Sequence, residues 1–311
     1  MHSRPECAAL LAADNLTVAT IQTPHGPLTI AVRDNHTSRD AISGTIQKRG
    51  AWENITHPDD MFSQADVRAA ALMIGRPQRA HPPVFLDVGA NIGYFSLIMA
   101  HAGYRAVAIE VLPHNRRVIA ASLCLNPSLN VHVVGAAIGS PREMGRPCIA
   151  TTLVRDSGNG YLNCGAAALS ADCDNTTSRD AALVDARMLR LWNKFGAVSV
   201  RECEHLTVRT LDEVWAAEGH VGSPNSTHRV THGELGIVDV LKVDVEGKEC
   251  NVLAGATAIL ASRPRFMRIE GNEESSRKCV QDAARRHRFD VVSKFAEGRG
   301  SDLNLYVWPR P

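Results

Sequence analysis

The sequence lacks several patterns by which common protein classes are recognised. No apolar run approaches the roughly 20 residues that a membrane-spanning helix needs, so no membrane span is predicted. The net charge is only +1, and aromatic residues make up 5% of the 311 residues. Because no basic stripe with interleaved aromatic residues is visible, nucleic acid is not an expected partner. No Cys-x-x-Cys pair occurs and the histidines show no ligand spacing, so no metal site is expected.

The sequence is compatible with more than one cellular compartment. The apolar stretch 7–13 is too short for a convincing signal peptide. Five glycosylation sequons nevertheless occur where about two are expected by chance, which suggests either a secretory lumen or chance alone. The sequons are at Asn15, Asn35, Asn54, Asn175 and Asn225. Four of the eight cysteines lie in one irregular segment and could form bridges in an oxidising compartment: Cys148, Cys164, Cys173 and Cys203.

Residues 84–96 are the stretch around which the rest of the chain can be organised. Residues 84–87 have the pattern of a short buried strand, Gly89 and Gly93 loosen the backbone, and residues 92–102 have the pattern of a helix. A strand, a glycine turn and a helix open an α/β sheet of the kind that binds ligands at the carboxyl ends of its strands. The two glycines are expected to let a cofactor approach the backbone, because a Cβ atom there would collide with it.

The order of residues in this turn distinguishes two classes of cofactor. A dinucleotide fingerprint needs Gly-x-Gly-x-x-Gly, and its first and third glycines are missing here. The acidic Asp87 would also repel a phosphate, whereas S-adenosylmethionine (SAM) carries no phosphate and is the predicted cofactor. Asn91 could contact the amino-acid end of SAM or be a left-handed turn residue. The residues of the turn predicted to contact SAM are Asp87, Gly89, Ala90, Asn91 and Gly93.

Two later strands supply further predicted contacts with SAM. Residues 105–110 form an apolar strand that ends in Glu110, 23 residues after Asp87. An acid about 20 residues after the first strand commonly binds the ribose of an adenine cofactor. Residues 130–134 are predicted to form a third strand. The small side chain of Ala137, which follows that strand, would leave room for the adenine.

The second half of the chain contains a buried strand, residues 237–243, with a polar tail. Period-two alternation places Lys242, Asp244 and Glu246 on one side, at the carboxyl end where α/β enzymes carry out their chemistry. Asp244 is the first candidate for a general base or a substrate-positioning acceptor. Lys242 could stabilise a forming alkoxide or only pair with Asp244. Glu246 could take part in catalysis, or could be an acid matched to the dipole of a helix predicted over 248–260.

A further acid, Glu270, ends the strand predicted over residues 266–270. Glu270 could bind the hydroxyl groups of a sugar substrate, or it could be a solvated strand end. Together with Asp244 and Glu246 it could also hold Mg²⁺, but no spacing rule supports such a site, so no metal is predicted.

The alternation of strands and helices predicts an α/β fold with a mostly parallel sheet and helices on both faces. The last two strands, 289–294 and 303–308, are expected to form an antiparallel hairpin at its edge. Residues 1–80 are predicted as an N-terminal extension with a hairpin and helices that packs on the core. Residues 81–311 are predicted as the catalytic domain, with a variable insertion at about 141–235.

Several motifs together resemble the FkbM family of SAM-dependent methyltransferases, over about residues 50–295. The two longest are Phe85-Leu-Asp-Val-Gly-Ala-Asn-Ile-Gly-Tyr-Phe95 and Val240-Leu-Lys-Val-Asp-Val-Glu-Gly-Lys-Glu249, and Glu110 with Pro113 and Asn115 adds to them. The resemblance implies the class I methyltransferase fold, a Rossmann-like seven-stranded sheet whose last strand is antiparallel. It also implies methyl transfer, usually to a hydroxyl of a sugar or natural product. The chain departs from the family at Ser140, where an acid is common.

The combined prediction is a SAM-dependent O-methyltransferase that acts on a small-molecule or carbohydrate acceptor. One alternative is a nicotinamide-dependent oxidoreductase, which the missing glycines and Asp87 disfavour. The other is a SAM-fold protein that has lost catalysis and serves as a binding module, against which Lys242, Asp244 and Glu246 argue. The sequence identifies neither the acceptor nor the oligomeric state.

Overall fold

The structure is a computed structural model. It describes residues 5–23, 25–34, 40–50, 82–153, 156–164, 173, 200–218, 237–271, 274–295 and 303–310. The strands are β1 (Leu16–Thr23), β2 (Gly26–Arg33), β3 (Val84–Val88), β4 (Arg105–Ile109), β5 (Val131–Val134), β6 (Ala137–Ile138), β7 (Pro147–Leu153), β8 (Asp156–Asn163), β9 (Val200–Arg209), β10 (Val240–Val243), β11 (Phe266–Glu270), β12 (Phe289–Phe295) and β13 (Leu303–Pro309). The helices are α1 (Pro5–Ala13), α2 (Ala41–Arg49), α3 (Tyr94–His101), α4 (Pro113–Leu125), α5 (Leu211–Glu218), α6 (Glu249–Ala254), α7 (Thr257–Ala261) and α8 (Glu274–His287).

The central sheet has seven strands in the order β12-β13-β11-β10-β3-β4-β5. The strands from β11 to β5 are parallel, and β13 is antiparallel to both of its neighbours. This arrangement confirms the predicted class I methyltransferase sheet with its antiparallel last strand. The hairpin of β12 and β13 lies at one edge, and within it β13 occupies the inner position because it pairs with β11.

Helices cover both faces of the sheet, as predicted, because alternate residues of the buried strands point to opposite sides. On one side, Leu86 and Leu241 belong to the same core cluster as Trp215 of α5. On the other side, Phe85 belongs to a second core cluster that includes Leu97 of α3. Every residue of β3 is buried, as expected for a parallel strand covered on both faces.

The predicted N-terminal hairpin is formed by β1 and β2, which pair along their whole length. Its apolar residues join the core cluster on the α4 side of the sheet. Strand β2 runs beside α4, and the backbone N–H of Ala31 donates a hydrogen bond of 2.9 Å to Oγ of Ser122. The hairpin therefore packs on the core. The domain boundary predicted near residue 80 lies outside the described residues.

Part of the segment predicted as an insertion forms a second sheet, with the order β6-β9-β7-β8. It continues from the core because β6 follows β5 directly in the chain and pairs in parallel with β9. Within the described residues no helix has the length and apolar character needed to cross a membrane.

All eight cysteines are paired, in the bridges Cys7–Cys124, Cys148–Cys164, Cys173–Cys203 and Cys250–Cys279. The four cysteines predicted to be able to form bridges do so among themselves. The first bridge joins α1 to α4, and the last joins α6 to α8. Disulfides of this number are typical of proteins from oxidising compartments.

Candidate active site at the carboxyl ends of the parallel strands

The topology places the candidate active site between β3 and β10. From β3 the chain continues outward through β4 and β5, and it later returns to β10 on the other side of β3. Ligands of open α/β sheets bind where the strand order reverses in this way, outside the carboxyl ends. Asp87, Lys242 and Arg268 occupy aligned positions on β3, β10 and β11. A row of charged residues therefore crosses three neighbouring strands beside this crevice.

The ammonium group of Lys242 lies at the centre of this row and is almost fully buried. Its Nζ lies 3.3 Å from Oδ1 of Asp87 and 3.4 Å from Oδ2 of Asp244. It also donates a hydrogen bond of 3.0 Å to the carbonyl oxygen of Gly89. Burial by itself would lower the pKa of Lys242, but the two carboxylates raise it above its usual value. Lys242 is therefore charged and joins the ends of β3 and β10; its effect on an alkoxide stays a prediction.

Asp244 is the acid of this cluster that a substrate can reach. Its side chain is 38% exposed, whereas that of Asp87 is fully buried. Burial alone would raise the pKa of Asp244, but Lys242, a hydrogen bond with Glu270 and the guanidinium of Arg268 together lower it. Asp244 is therefore a carboxylate at neutral pH, the form that can accept a proton from a hydroxyl group. Its role in catalysis stays a prediction.

Glu270, at the end of β11, holds a proton at neutral pH. Burial raises its pKa to about 9, and the negative charges of Asp244 and Glu246 act in the same direction. The neutral carboxyl group shares a hydrogen bond with Asp244. Glu270 is thus bonded to the candidate base and is not simply a solvated strand end. A contact between Glu270 and a sugar substrate stays a prediction.

The raised pKa of Glu270 predicts a pH dependence of stability. Between the unfolded pKa of about 4.3 and the folded value of about 9, the folded protein binds one proton more than the unfolded chain. The free energy of unfolding should therefore fall as the pH rises through this window. In Glu270→Gln this fall in the free energy of unfolding should be absent, because the amide is neutral at every pH and can still donate to Asp244.

We expect urea unfolding between pH 5.5 and 8.5 to show Glu270→Gln gaining stability over the unsubstituted protein as the pH rises. Glu274→Gln, the same change at an exposed position of α8, is the matched control. A pH-independent difference for Glu270→Gln would contradict the raised pKa.

Asp87 supports the glycine turn from inside the protein. Its Oδ2 accepts a hydrogen bond of 2.7 Å from Oγ of Ser96 in α3, and its Oδ1 faces Lys242. Because Lys242 balances its charge, Asp87 is a weaker barrier to phosphate than the sequence suggested. A direct contact between Asp87 and a cofactor stays a prediction.

The two turn glycines are required by the packing of the protein itself, and the approach of a cofactor to them stays a prediction. Gly89 and Gly93 both have φ of +81°, in the left-handed region. A Cβ atom on Gly89 would lie 1.8 Å from the carbonyl oxygen of Asp244, and one on Gly93 would lie 2.9 Å from Cγ1 of Ile119. The collisions are therefore with the protein itself, at the residue that follows β10 and at α4. The glycine at position 89 is what lets the backbone of Asp244 lie against the turn.

The backbone N–H groups of the turn are already bonded to β4 and its end. Those of Gly89 and Ala90 both donate to the carbonyl oxygen of Ile109 at 3.0 Å. That of Asn91 donates to Oε2 of Glu110 at 2.7 Å. A pyrophosphate site needs such groups to point at the ligand. The turn therefore fits a ligand without phosphate better than it fits a dinucleotide.

Glu110 is held in place by three donors. The backbone N–H groups of Asn91 and Leu112 bond its two carboxylate oxygens, and the side chain of Asn115 supplies a third hydrogen bond. Burial raises the pKa of Glu110, while the three donors act against that rise. A carboxylate has about four acceptor positions. Three of these positions are taken by the donors above, so one remains for a hydroxyl of a ribose, a contact that stays a prediction.

The two alanines predicted to contact SAM have buried side chains. Ala90 is 2% exposed and packs with Ala108 and Ile119. Ala137 is also 2% exposed, lies in β6 and packs against Val208 of β9. Their contacts with a cofactor stay predictions.

Glu246 lies on the exposed side of the loop after β10, with φ of +54°. The helix predicted over 248–260 is in fact two helices, α6 and α7, separated at Gly255 and Ala256. The acid at the start of α6 is Glu249. Its Oε1 accepts hydrogen bonds from the backbone N–H groups of Val245 and Gly247, at 3.2 and 3.0 Å. Glu249 therefore shapes the loop that carries Glu246. Its position at a predicted helix start was the one feature of the sequence that pointed to this role.

Two further residues of the site, Arg268 and Phe95, were not predicted from the sequence. The guanidinium carbon of Arg268 lies 4.8 Å from the ring centroid of Phe95, and Nζ of Lys242 lies 5.2 Å from the same point. Attraction to the ring face stabilises both cations in a buried position. Arg268 could have been found, because it is a charge inside an apolar strand, two residues before Glu270 and hence on the same side.

Asp244 and Glu270, two of the three acids considered for Mg²⁺, are bonded to each other. Within the residues that the structure describes, no group of three or more His, Cys, Asp or Glu side chains is arranged to hold a metal ion.

A comparison with curated proteins finds a relative that matches most of this chain. The AMB antimetabolite synthetase AmbE of Pseudomonas aeruginosa PAO1 is 30% identical over 245 residues, which cover 73% of this chain. Those residues cover only 10% of AmbE, so the chain spans about a tenth of the length of that relative.

Comparison with solved structures gives low similarity scores. The methyltransferase FkbM from Methylobacillus flagellatus KT is 15% identical, with 89% of this chain and 56% of that chain covered and a TM-score of 0.43. The METTL16 MTase domain is 11% identical, with 98% and 92% covered and a TM-score of 0.42. Scores below 0.5 add no weight to the assignment of the family.

The family is given by a match over the residues that form the site. The family described as Methyltransferase FkbM domain matches residues 87–295, about two thirds of the chain. The matched range begins at Asp87 and includes the glycine turn, Glu110 and the charged ends of β10 and β11. This chain belongs to the FkbM methyltransferase family.

Proposed function

We propose that the protein transfers the methyl group of SAM to a hydroxyl group of a small-molecule or carbohydrate acceptor. The observation that carries the proposal is the carboxylate of Asp244. It is ionised and 38% exposed, and it lies 3.4 Å from a buried ammonium group at the point where the strand order reverses. A positioned base of this kind is what a hydroxyl nucleophile requires.

When bound, SAM supplies a methyl group made electrophilic by the adjacent sulfonium. Asp244 would accept the proton of the acceptor hydroxyl, whose oxygen would take the methyl group that bound SAM supplies, leaving S-adenosylhomocysteine. Lys242 and Glu270 hold the Asp244 carboxylate between them and fix its direction. This fixed geometry matters because much of the rate of a displacement comes from alignment of the reacting groups.

The choice of SAM over a nicotinamide cofactor is supported by the turn after β3. The N–H groups of Gly89, Ala90 and Asn91 are bonded to β4 and to Glu110, so they do not offer the cradle that a pyrophosphate needs. Glu110 is the residue proposed to accept a hydrogen bond from a ribose hydroxyl. A small-molecule acceptor agrees with the name of AmbE as an antimetabolite synthetase, although the chain spans only a tenth of that protein.

The cofactor is tested by calorimetric titration with SAM, S-adenosylhomocysteine (SAH) and NAD. We expect binding of SAM and SAH, and we expect Glu110→Gln to weaken SAH binding by about 10- to 100-fold, because hydrogen bonds to a charged acceptor are lost. Glu218→Gln, the same change on a partly exposed carboxylate that pairs with His132, should leave the affinity unchanged. Binding of NAD without SAH would contradict the proposal.

The alternative of a SAM-binding protein without catalysis predicts a different result from the same protein. Such a protein would bind SAH but would form no SAH from SAM with any acceptor of a panel of monosaccharides, glycans and hydroxylated natural products. Formation of SAH that depends on one acceptor, with a mass increase of one methylene on that acceptor, would establish methyl transfer.

A further inference from the structure

A line of buried polar side chains runs from the N-terminal hairpin to Glu110. Arg33, at the end of β2, is 3% exposed, and its Nη1 forms a 2.9 Å ion pair with Asp40. Its Nη2 donates a hydrogen bond to Oδ1 of Asn115 in α4. The side chain of Asn115 in turn bonds Glu110. Asp40 and Asn115 are 0% and 1% exposed, so water does not separate these groups.

The donors and acceptors along this line have a fixed order, because arginine can only donate hydrogen bonds. Arg33 therefore requires the oxygen of the Asn115 amide on its own side, and the amide nitrogen is left to donate to the Glu110 carboxylate. A flipped amide would place its oxygen against that carboxylate and its nitrogen against a guanidinium. Both contacts would be repulsive, so Arg33 fixes the orientation in which Asn115 bonds Glu110.

Arg33 is itself held rigidly. Asp40 caps α2 by accepting from the backbone N–H of Ile42, and it also accepts a 2.6 Å hydrogen bond from Oγ of Ser43. The backbone N–H of Arg33 donates to the same Oγ at 3.1 Å. The guanidinium therefore has a fixed position relative to α2, and a residue of the extension reaches Glu110 through one intermediate side chain.

We propose that Arg33 is a positioning residue of the cofactor site, which acts through Asn115 to hold the Glu110 carboxylate toward a ribose hydroxyl of SAM. This inference rests on the proposed function, in which Glu110 binds the ribose. Arg33 lies before residue 87, where the family match begins, so the extension contributes to a site whose other residues lie within the matched range.

The test compares SAH with its 2′,3′-dideoxyribose analogue, both titrated calorimetrically into the full chain. The unsubstituted protein should prefer SAH by about 10- to 100-fold, and Glu110→Gln should lose most of that preference. Arg33→Met should reduce the preference by about three- to tenfold, the worth of one hydrogen bond. Ser122→Ala is the matched control, because it removes a buried hydrogen bond between β2 and α4 without touching the Arg33–Asn115–Glu110 line.

Arg33→Met leaves Asp40 buried without its cation and could fail to fold, so Arg33→Met combined with Asp40→Asn removes both charges and serves as the second variant. If the Arg33 variants weaken SAH and its analogue equally, the preference is unchanged, Arg33 is only structural and the proposal is overturned while the proposed function stands. If the unsubstituted protein shows no preference for SAH, the ribose contact of the proposed function fails first.

Discussion

Replacing Asp244 by asparagine is expected to lower the turnover number by about 100- to 10,000-fold, the usual contribution of a positioned general base. Asparagine has the same size and can still accept a hydrogen bond from Lys242, but it cannot take up the proton of the acceptor hydroxyl. Because Glu110 and the turn are unchanged, the affinity for SAH should change by less than about threefold. A loss confined to turnover would separate the role of Asp244 in proton transfer from a role in binding SAM.

The measurement is the rate at which SAH forms from SAM in the presence of an acceptor found in the panel of hydroxylated compounds. Asp290→Asn is the control, because Asp290 is a partly exposed aspartate of β12 that pairs with Arg310. Its rate should equal that of the unsubstituted protein. An Asp244→Asn variant with undiminished turnover would exclude Asp244 as the base.

Replacing Lys242 by methionine is expected to lower the free energy of unfolding by about 3–5 kcal/mol, the cost of leaving a buried charge without its partner. The uncompensated charge is that of Asp87, whose side chain is 0% exposed and faces Lys242 at 3.3 Å. The ammonium also bridges to the carbonyl oxygen of Gly89, so its removal loosens the contact between β3 and β10.

The variant Asp87→Asn with Lys242→Met tests this explanation by urea unfolding. Because it removes both buried charges, it should recover most of the stability lost in Lys242→Met, even though it carries one substitution more. Lys48→Met, at an exposed position of α2, should change stability by no more than about 0.5 kcal/mol. Equal losses in the single and double variants would show that packing of the lysine stem, rather than charge balance, is what stabilises this position.

The pattern of the sequence was sufficient for the sheet and for the location of its site. Short apolar runs alternate with helical stretches, and each run ends at a glycine or an acid, so the sequence alone identifies the carboxyl ends of β3, β4, β10 and β11. Lys242 lies in β10 and Asp244 directly follows that strand, so the proximity of these two residues follows from local geometry. These features depend on residues close together in the chain.

The contacts that join distant residues could not be predicted in the same way. The need for glycine at position 89 arises from the carbonyl oxygen of Asp244, 155 positions away. The ring of Phe95 contacts two cations that come from β10 and β11. Arg33 bonds Asn115 across 82 positions, and the sequence around neither residue indicates this contact. The pairing of the eight cysteines is of the same kind, because sequence alone does not determine connectivity.

The sequence by itself determined the α/β sheet, the turn after β3 and the set of acids at the strand ends, because periodicity and glycine placement act locally. Only the tertiary structure decided what each of those acids is chemically. Asp244 is ionised because Lys242 and Arg268 lie beside it, and Glu270 is neutral because it is buried against Asp244. A pKa is set by burial and by charges within a few ångströms, and these neighbours come from separate strands that only folding brings together.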